Sequence, residues 1–172
     1  MPYKKLFIWV EGPDDIRFFE AVIQPKLNDQ YNYVKVFPYA ELSPKLRKAF
    51  INSQRSEKAD IIFSGDKNSS PCVTKRKETF INNSLSLIED QIIVVVHEIE
   101  SWYLAGVTKR DMVKKQLSST DDVTKEQFND LIPDKYESRT EYMVEMLKKF
   151  SIDQARAKNK SFEYFANKYL TA

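Results

Sequence analysis

The segment FIWVEGPDD at residues 7–15 constrains the fold of this chain more than any other. An apolar run ends at Glu11 and Gly12, and a helical spacing of apolar residues begins directly after Pro13. The pattern predicts a buried strand, a tight turn and a helix, because proline suits the first helical position. Glu11 would then lie at the carboxyl end of a strand, where open α/β sheets bind their ligands. A carboxylate buried there requires a metal, a donor or a partner, whereas one at the helix N-terminus is explained by the helix dipole alone.

The same design occurs twice more along the chain. The apolar run at residues 59–65 is followed by Asp66, and the run at 91–96 is followed by three polar residues: His97, Glu98 and Glu100. Strands that alternate with helices predict a parallel sheet, so these acids would meet at one sheet edge. Such a cluster repels itself unless a divalent cation neutralises it. Mg²⁺ fits best, because it takes few protein carboxylates and keeps positions open for water and phosphate.

Hydrophobic periodicity predicts the elements of the whole chain. The predicted strands are Lys5–Val10, 33–37, 60–64 and 91–96. The predicted helices are 13–27, 44–55 with Ser43 as its N-cap, 70–87, 100–105, 109–117, 125–131, 139–150 and 161–170. We therefore predict an α/β core over residues 1–106. A helical C-terminal extension over 107–172 would pack on that core.

Composition narrows the class of protein. The 172 residues suit a single domain, and no stretch is apolar enough to cross a membrane. The single Cys72 excludes an internal disulfide framework, which predicts a cytoplasmic protein. The formal net charge of +2 does not by itself indicate a nucleic-acid binder, although local basic clusters can still serve one.

The motif VEGPDD at residues 10–15 resembles the V-E-G-x-x-D signature of the Toprim superfamily. That superfamily includes topoisomerases, bacterial primases, small RNA-maturing ribonucleases and nucleases of the overcoming-lysogenization-defect type. In it, a glutamate after the first strand and a D-x-D after a later strand hold magnesium for phosphodiester chemistry. Glu11 matches the glutamate and Asp15 the trailing aspartate. DKN at 66–68 matches the D-x-D in part, with Asn68 in place of the second aspartate.

A second resemblance concerns the segment HEIESWYLA at residues 97–105. It is similar to a narrower group of small single-domain Toprim-like proteins. These carry an H-E-x-E-like motif after the fourth strand and a terminal Ser-Phe helix, here Ser161-Phe162. The resemblance covers most of the chain. It implies a Toprim-like, Rossmann-like central parallel sheet flanked by helices, with a helical C-terminal part.

The resemblance and the residue chemistry together give each candidate a role. Glu11 would be the first metal ligand or general base, and Asp66 the central ligand. Asn68 and Glu100 would be supporting metal ligands. Asp15 and Glu98 would lie around these ligands and support them. His97 would move a proton or contact phosphate, since its titration lies near neutrality.

Each of these residues also has a structural explanation. Asp15 suits the helix dipole equally well, and Asp66 suits a turn by composition alone. A lone histidine beside a strand, such as His97, is usually structural. Glu98 and Glu100 share a face on a strand but not on a helix, so one of them would face the site, with Glu100 favoured.

Basic residues near these motifs are candidates for contacts with phosphate or nucleic acid. The candidates are Lys67, Lys75, Arg76, Arg156 and Lys158, together with Ser161 as the N-cap of the last helix. Lys75 and Arg76 suit an ordinary solvated helix face as well.

The leading functional prediction is magnesium-dependent phosphodiester chemistry on nucleic acid, most simply cleavage, with manganese as a substitute metal. The alternative is a non-catalytic module that binds nucleotide or nucleic acid. This alternative includes the case in which the chain is a subunit of a larger defence or repair system. A partner protein would then supply the missing parts of the site. Asn68 and the near-neutral charge favour this alternative. A purely structural interaction protein would leave Glu11 and Asp66 far apart. No membrane partner is predicted, and the oligomeric state stays open.

Overall fold

The computed structural model describes residues 3–83, 87–107 and 112–170. The chain divides into two compact units, Met1–Val94 and Val95–Ala172. The sequence predicts a boundary near residue 106, and the structural division lies earlier, before the motif that begins at His97. No helix within the described residues has the length and apolar composition needed to cross a bilayer.

The sheet has four parallel strands, which confirms the predicted α/β class. The strands are β1 (Lys5–Val10), β2 (Tyr33–Pro38), β3 (Asp60–Asp66) and β4 (Ile92–Val95), in the spatial order β2-β1-β3-β4. The register pairs Ile8 of β1 with Val36 of β2 on one side and with Ile62 of β3 on the other. From β1 the chain goes first to β2 and then crosses to β3. The carboxyl ends of β1 and β3 therefore flank the topological switch point, where open sheets bind ligands.

The helices of the first unit follow the prediction closely at the start of the chain. Helix α1 (Pro13–Phe18) continues through a π-helical turn (Phe19–Ile23) into α2 (Gln24–Leu27). Helix α3 (Pro44–Ser56) begins at its predicted cap, because the Ser43 side chain accepts a hydrogen bond from the Leu46 amide. Helix α4 (Val73–Asn82) begins after Cys72, its N-cap position, which is later than predicted, and part of its predicted end lies outside the described residues. A 3₁₀ turn (Glu89–Gln91) precedes β4.

Alternation along the strands places one face of the sheet beneath α3 and α4. Trp9 of β1 and Phe63 of β3 belong to one buried cluster with Ile51 of α3 and Phe80 of α4. The Trp9 indole also donates to Gln54 Oε1 at 2.9 Å, so its polar group is satisfied within the core. Each such large side chain stabilises the fold by roughly 1.5–3 kcal/mol.

The described part of the second unit consists of helices and the loops that connect them. It contains α5 (Glu100–Ala105), α6 (Lys125–Asp130), α7 (Arg139–Lys148), α8 (Ile152–Lys158) and α9 (Lys160–Tyr169). An isolated antiparallel bridge joins Val107 to Phe150. The prediction of a helix over 109–117 is wrong for residues 113–117, which contain no helix, while 109–111 lie outside the described residues.

Two differences at the end of the chain concern helix caps. Helix α8 was not predicted as a separate element, although Ser151 caps it by accepting from the Gln154 amide. The N-cap of α9 is Asn159 and not Ser161, because the Asn159 side chain accepts from the Phe162 amide. Asparagine and serine are both strong caps, so composition alone does not choose between residues two positions apart.

Candidate functional site at the carboxyl edge of the first unit

The segments that follow β1, β2 and β3 carry the candidate site of the first unit. Glu11 follows β1, Asp66 ends β3, and Tyr39 follows β2. The hydroxyl of Tyr39 donates to Glu11 Oε2 at 3.4 Å. The Tyr39 ring is buried and stacks on Phe63, with 4.5 Å between the ring centroids. Tyr39 therefore fixes a polar group beside Glu11 from within the core.

The charges around Tyr39 show which predicted residues gather there. Burial is the main cause that raises the pKa of the Tyr39 phenol far above its ordinary value. The carboxylates of Glu11, Asp15 and Asp66 raise this pKa further, and Arg76 lowers it. The three acids therefore lie in the electrostatic surroundings of one hydroxyl. The phenol stays neutral at physiological pH and acts as a hydrogen-bond donor.

Asp15 lies at the start of α1 and is buried. Its Oδ2 accepts a hydrogen bond from the Gly12 amide at 3.2 Å. This contact shapes the turn between β1 and α1, and helix N-termini favour a negative charge at this position. Asp15 therefore supports the segment that presents Glu11.

The loop after β3 carries Asp66, Lys67 and Asn68. Asp66 and Lys67 are half-buried, and Asn68 is exposed. Asn68 has a φ of 50°, in the left-handed region that asparagine tolerates better than most residues. The backbone conformation is thus sufficient to explain an asparagine at this position, whether or not its amide oxygen contacts a ligand.

Two arginines flank the acids. Arg76 of α4 donates from Nε to the Asp66 carbonyl at 2.7 Å, and its guanidinium carbon lies 4.2 Å from the centroid of the Phe80 ring. Arg47 of α3 donates from Nε to the Leu42 carbonyl at 2.8 Å. Its guanidinium carbon lies 5.5 Å from the centroid of the Tyr39 ring. Neither arginine forms an ion pair with a carboxylate of the described residues. Lys75, by contrast, is exposed and paired with Glu78 at 2.6 Å.

Sequence reasoning missed Tyr39 and Arg47. Tyr33 and Lys35, which share the alternation of Tyr39 along β2, are exposed, so the period-two pattern gives no signal that Tyr39 is buried. For Arg47 the sequence offers only a basic helix, which is usually solvated. Its place beside Tyr39 depends on how α3 packs.

The carboxylate oxygens at this edge could supply some, but not all, of the ligands that a hard cation requires. Within residues 3–83, 87–107 and 112–170, no group of three or more histidine, cysteine or acidic side chains is arranged to hold a metal. Two carboxylates, those of Glu11 and Asp66, lie at the switch point. Mg²⁺ is commonly bound through one or two carboxylates, with waters and substrate phosphate completing its shell. The residues therefore fit a cation that is shared with a phosphate.

The motif at residues 97–100 belongs to the second unit and is held there by helix contacts. His97 has a φ of 62°, and its Nε2 lies 3.8 Å from Asp122 Oδ1. Glu98 Oε2 accepts from the Lys125 amide at 2.7 Å. Lys125 is the first residue of α6, so Glu98 places a negative charge at the N-terminus of that helix, where the dipole favours it.

Glu100 is buried and forms an ion pair with Arg139 of α7. Burial raises the pKa of the Glu100 carboxyl above its ordinary value, and the Arg139 charge partly opposes that change. The guanidinium carbon of Arg139 also lies 5.6 Å from the centroid of the Phe128 ring. The pair therefore joins α5, α6 and α7 within the second unit.

The residues predicted to form an anion site near the last helix are engaged by protein groups. Ser161 donates to Asn159 Oδ1 at 2.8 Å and accepts from the Trp102 indole at 2.8 Å. At the N-terminus of α9, the Lys160 amide donates to Asp121 Oδ1 at 2.7 Å. Arg156 donates to the Asn167 side chain, and the Lys158 carbonyl accepts from the Thr120 amide. A carboxylate of the chain thus already occupies the place predicted for phosphate.

No protein-family model, curated protein or solved structure matches this chain.

Proposed function

We propose that this protein is a Toprim-like enzyme that cleaves phosphodiester bonds of nucleic acid with the help of Mg²⁺ or Mn²⁺. One observation carries the proposal. Glu11 follows β1 and accepts a hydrogen bond from Tyr39, and Asp66 ends β3, so both carboxylates lie at the topological switch point of a parallel sheet. The VEGPDD motif and its spacing to Asp66 support the same chemistry.

The first unit supplies the groups that this chemistry requires. Glu11 Oε2 accepts the Tyr39 hydrogen bond, and Oε1 accepts none from the described residues. We assign Oε1 to cation binding or to taking the proton of the attacking water. Asp66 supplies the second carboxylate. A bound divalent cation would polarise the phosphate and activate water. Arg76 and Arg47 place positive charge beside the acids, where it favours an anionic substrate.

A second candidate is a binding module without catalysis. It is favoured by the lack, in the described part of the chain, of any group of three acidic, histidine or cysteine side chains that suits a metal. In that case the same edge would hold a nucleotide or a nucleic-acid phosphate through its arginines. A partner protein would supply the catalytic groups.

The test is cation binding and cleavage by the purified chain and two variants, Glu11→Gln and Asp66→Asn. Each variant keeps the size of the side chain and removes its charge. We expect calorimetry to show Mg²⁺ or Mn²⁺ binding that both variants weaken. Cleavage of labelled single- or double-stranded DNA or RNA should fall at least a hundredfold in Glu11→Gln, which corresponds to about 3 kcal/mol of barrier.

The matched control is Glu41→Gln, which removes a charge from an exposed residue of the segment after β2. Its cation affinity and cleavage rate should equal those of the parent chain. Salt-sensitive binding of nucleic acid without cleavage in any divalent metal would instead establish the binding module. Cleavage that survives Glu11→Gln would refute the assigned site.

A further inference from the structure

Two arginines at the carboxyl edge of the first unit are held in place without the use of their outer nitrogens. Arg47 of α3 donates from Nε to the Leu42 carbonyl, and Arg76 of α4 donates from Nε to the Asp66 carbonyl. No described residue accepts a hydrogen bond from the Nη atoms of either guanidinium. None of these Nη atoms is buried, so a solute can reach them.

The rings beneath the two guanidiniums adjoin one another. The guanidinium carbon of Arg76 lies 4.2 Å from the centroid of the Phe80 ring, and that of Arg47 lies 5.5 Å from the centroid of the Tyr39 ring. The two rings converge on Gly65, because a Cβ there would lie 2.6 Å from both Tyr39 Oη and Phe80 Cζ. The two guanidiniums therefore lie over adjoining rings, at the edge that carries the candidate acids.

Both cations lack an acidic partner within the described part of the chain, although each side chain is half-buried. Arg17 of α1 is half-buried as well, but it is paired with Asp14 at 2.6 Å. A half-buried cation has lost part of its hydration, and an anion usually offsets that loss. Arg47 and Arg76 instead present anchored guanidinium forks, the groups that bind phosphate through two parallel hydrogen bonds. They point to an anion from outside the chain.

The number of acceptor oxygens distinguishes two kinds of phosphate. A guanidinium fork binds two oxygens of one phosphate, so two forks on the same phosphate require a third oxygen. An internal phosphodiester has only two non-bridging oxygens and a single negative charge, which one arginine satisfies. A terminal phosphate has three such oxygens and a charge of about −1.5 to −2 at neutral pH. Two adjoining arginines therefore match a terminal phosphate better than an internal one.

We propose that Arg47 and Arg76 together bind a terminal phosphate, the group carried by the end of a phosphorylated strand or by a mononucleotide. Their outer nitrogens donate to its three terminal oxygens, and their two charges neutralise it. The inference rests on the proposed function and deepens it, because it names the substrate class of the same site. The ligand is a phosphomonoester beside Glu11 and Asp66, and not the interior of a strand.

The experiment measures binding by calorimetry in EDTA, so that the result depends on neither a cation nor cleavage. The ligands for the full chain are short oligo(dT) strands with a 5′-phosphate, a 3′-phosphate or hydroxyl groups at both ends, together with thymidine 5′-monophosphate. We expect a phosphorylated strand to bind about tenfold more tightly than the hydroxyl-ended strand, because hydrogen bonds between charged groups are gained. Equally tight binding of the mononucleotide would identify a free nucleotide as the source of the phosphate. Weaker binding would identify a strand end.

Arg47→Gln and Arg76→Gln should each remove most of the preference for a terminal phosphate, because one guanidinium cannot bind three oxygens. The matched controls are Arg55→Gln on α3 and Lys75→Gln on α4, which remove the same charge from the same helices. Arg55 and Lys75 are already engaged by side chains of the first unit, so both controls should keep the preference. Thermal denaturation shows whether each variant is folded. Since the two arginines lie on different helices, a variant that does not fold at one position leaves the test at the other.

Three results would overturn the inference: equal affinity for phosphorylated and hydroxyl-ended strands, a loss in the controls equal to that in the arginine variants, or no binding of any of these ligands. Its failure is distinguishable from failure of the proposed function. Glu11-dependent cleavage in Mg²⁺ or Mn²⁺, without a preference for a terminal phosphate, would refute only the role of the arginines. Arginine-dependent binding of a terminal phosphate, without any Glu11-dependent cleavage, would refute only the enzyme.

Discussion

The hydroxyl of Tyr39 donates a hydrogen bond to Glu11 Oε2, 3.4 Å away, and so joins the segments after β2 and β1. The main chain reinforces the contact, because the Tyr39 amide donates to the Val10 carbonyl at 2.9 Å and the Ala40 amide to the Glu11 carbonyl at 3.2 Å. The two segments thus continue the parallel pairing beyond the strands. Glu11 is held in position by the fold itself, before any ligand binds.

Tyr39→Phe should lower the free energy of unfolding by about 0.5–1.5 kcal/mol, because a part-buried hydrogen bond to a carboxylate is lost. It should also weaken divalent cation binding, since Glu11 loses the group that orients it. Urea denaturation and calorimetry measure the two effects.

The control is Tyr142→Phe in the second unit. The Tyr142 hydroxyl is buried and has no hydrogen-bond partner among the described residues, so its removal should be neutral or slightly stabilising. Equal destabilisation by the two variants would show that the Tyr39 contact contributes nothing specific.

Substitution by alanine should affect stability differently at the two glycines beside the site, Gly65 and Gly12. A Cβ at Gly65 would lie 2.6 Å from both Tyr39 Oη and Phe80 Cζ, two atoms of rigid packed rings. Gly65→Ala should therefore cost about 1–3 kcal/mol and displace Tyr39 from Glu11. A Cβ at Gly12 would meet nothing within 4 Å, and its φ of −149° suits any residue.

Gly12→Ala should leave the thermal midpoint of unfolding unchanged while it reduces binding of nucleic acid. The reason is that nothing in the fold requires a glycine at position 12, whereas a ligand that approaches the backbone would. Thermal denaturation and anisotropy of both alanine variants check the pair. Unchanged binding by a stable Gly12→Ala protein would show that no ligand comes close to this turn.

Asn68→Asp should tighten Mg²⁺ binding, because it restores the second carboxylate of a D-x-D pattern and hard cations prefer charged oxygen. Aspartate tolerates the left-handed backbone of residue 68 nearly as well as asparagine, so the fold should be unaffected. The control is Asn68→Gly, which accepts the same φ and removes the side-chain oxygen. Calorimetry at fixed salt compares the three proteins. Equal affinities would place residue 68 outside the metal shell.

The fold of the first unit could be predicted well because its signals are local. Lys5–Val10 is an apolar run that ends abruptly, and Ser43-Pro44 combines a cap with a helix-starting proline. The end of the chain was harder to predict. Asn159 and Ser161 are both good caps, and their buried environments decide which one caps the helix and which one bonds to Trp102.

The acids of the candidate site could be predicted from the sequence, whereas the residues that contact these acids could not. Glu11 and Asp66 are recognisable by their position at the ends of strands, since continuous apolar runs end there. Tyr39 and Arg47 come from a different strand and helix, and their approach to Glu11 is a property of tertiary packing. The same holds for Glu100, whose ion pair with Arg139 spans a long sequence separation that no local pattern reveals.

The last prediction concerns the pH dependence that Glu100 gives to stability. Burial raises the pKa of this carboxyl in the folded protein above 4.5, its ordinary value. The folded state therefore holds the proton more tightly than the unfolded state does. The stability that results is fully present below pH 4.5 and is lost as pH rises through the folded pKa. Glu100→Gln cannot ionise and lacks this dependence.

The free energy of unfolding of the parent chain, minus that of Glu100→Gln, should therefore fall as pH rises above 4.5 and then level off. Urea denaturation of both proteins at pH 4 to 8 measures the difference, in which all other titrating groups cancel. Glu126→Gln is the control, for which the corresponding difference should stay level above pH 4.5. A backbone hydrogen bond lowers the pKa of the exposed Glu126, so its contribution is present above pH 4.5 and is lost as pH falls through the folded pKa. A difference for Glu100 that rises with pH would mean that the Arg139 charge outweighs burial, and would reverse the assignment of the dominant cause.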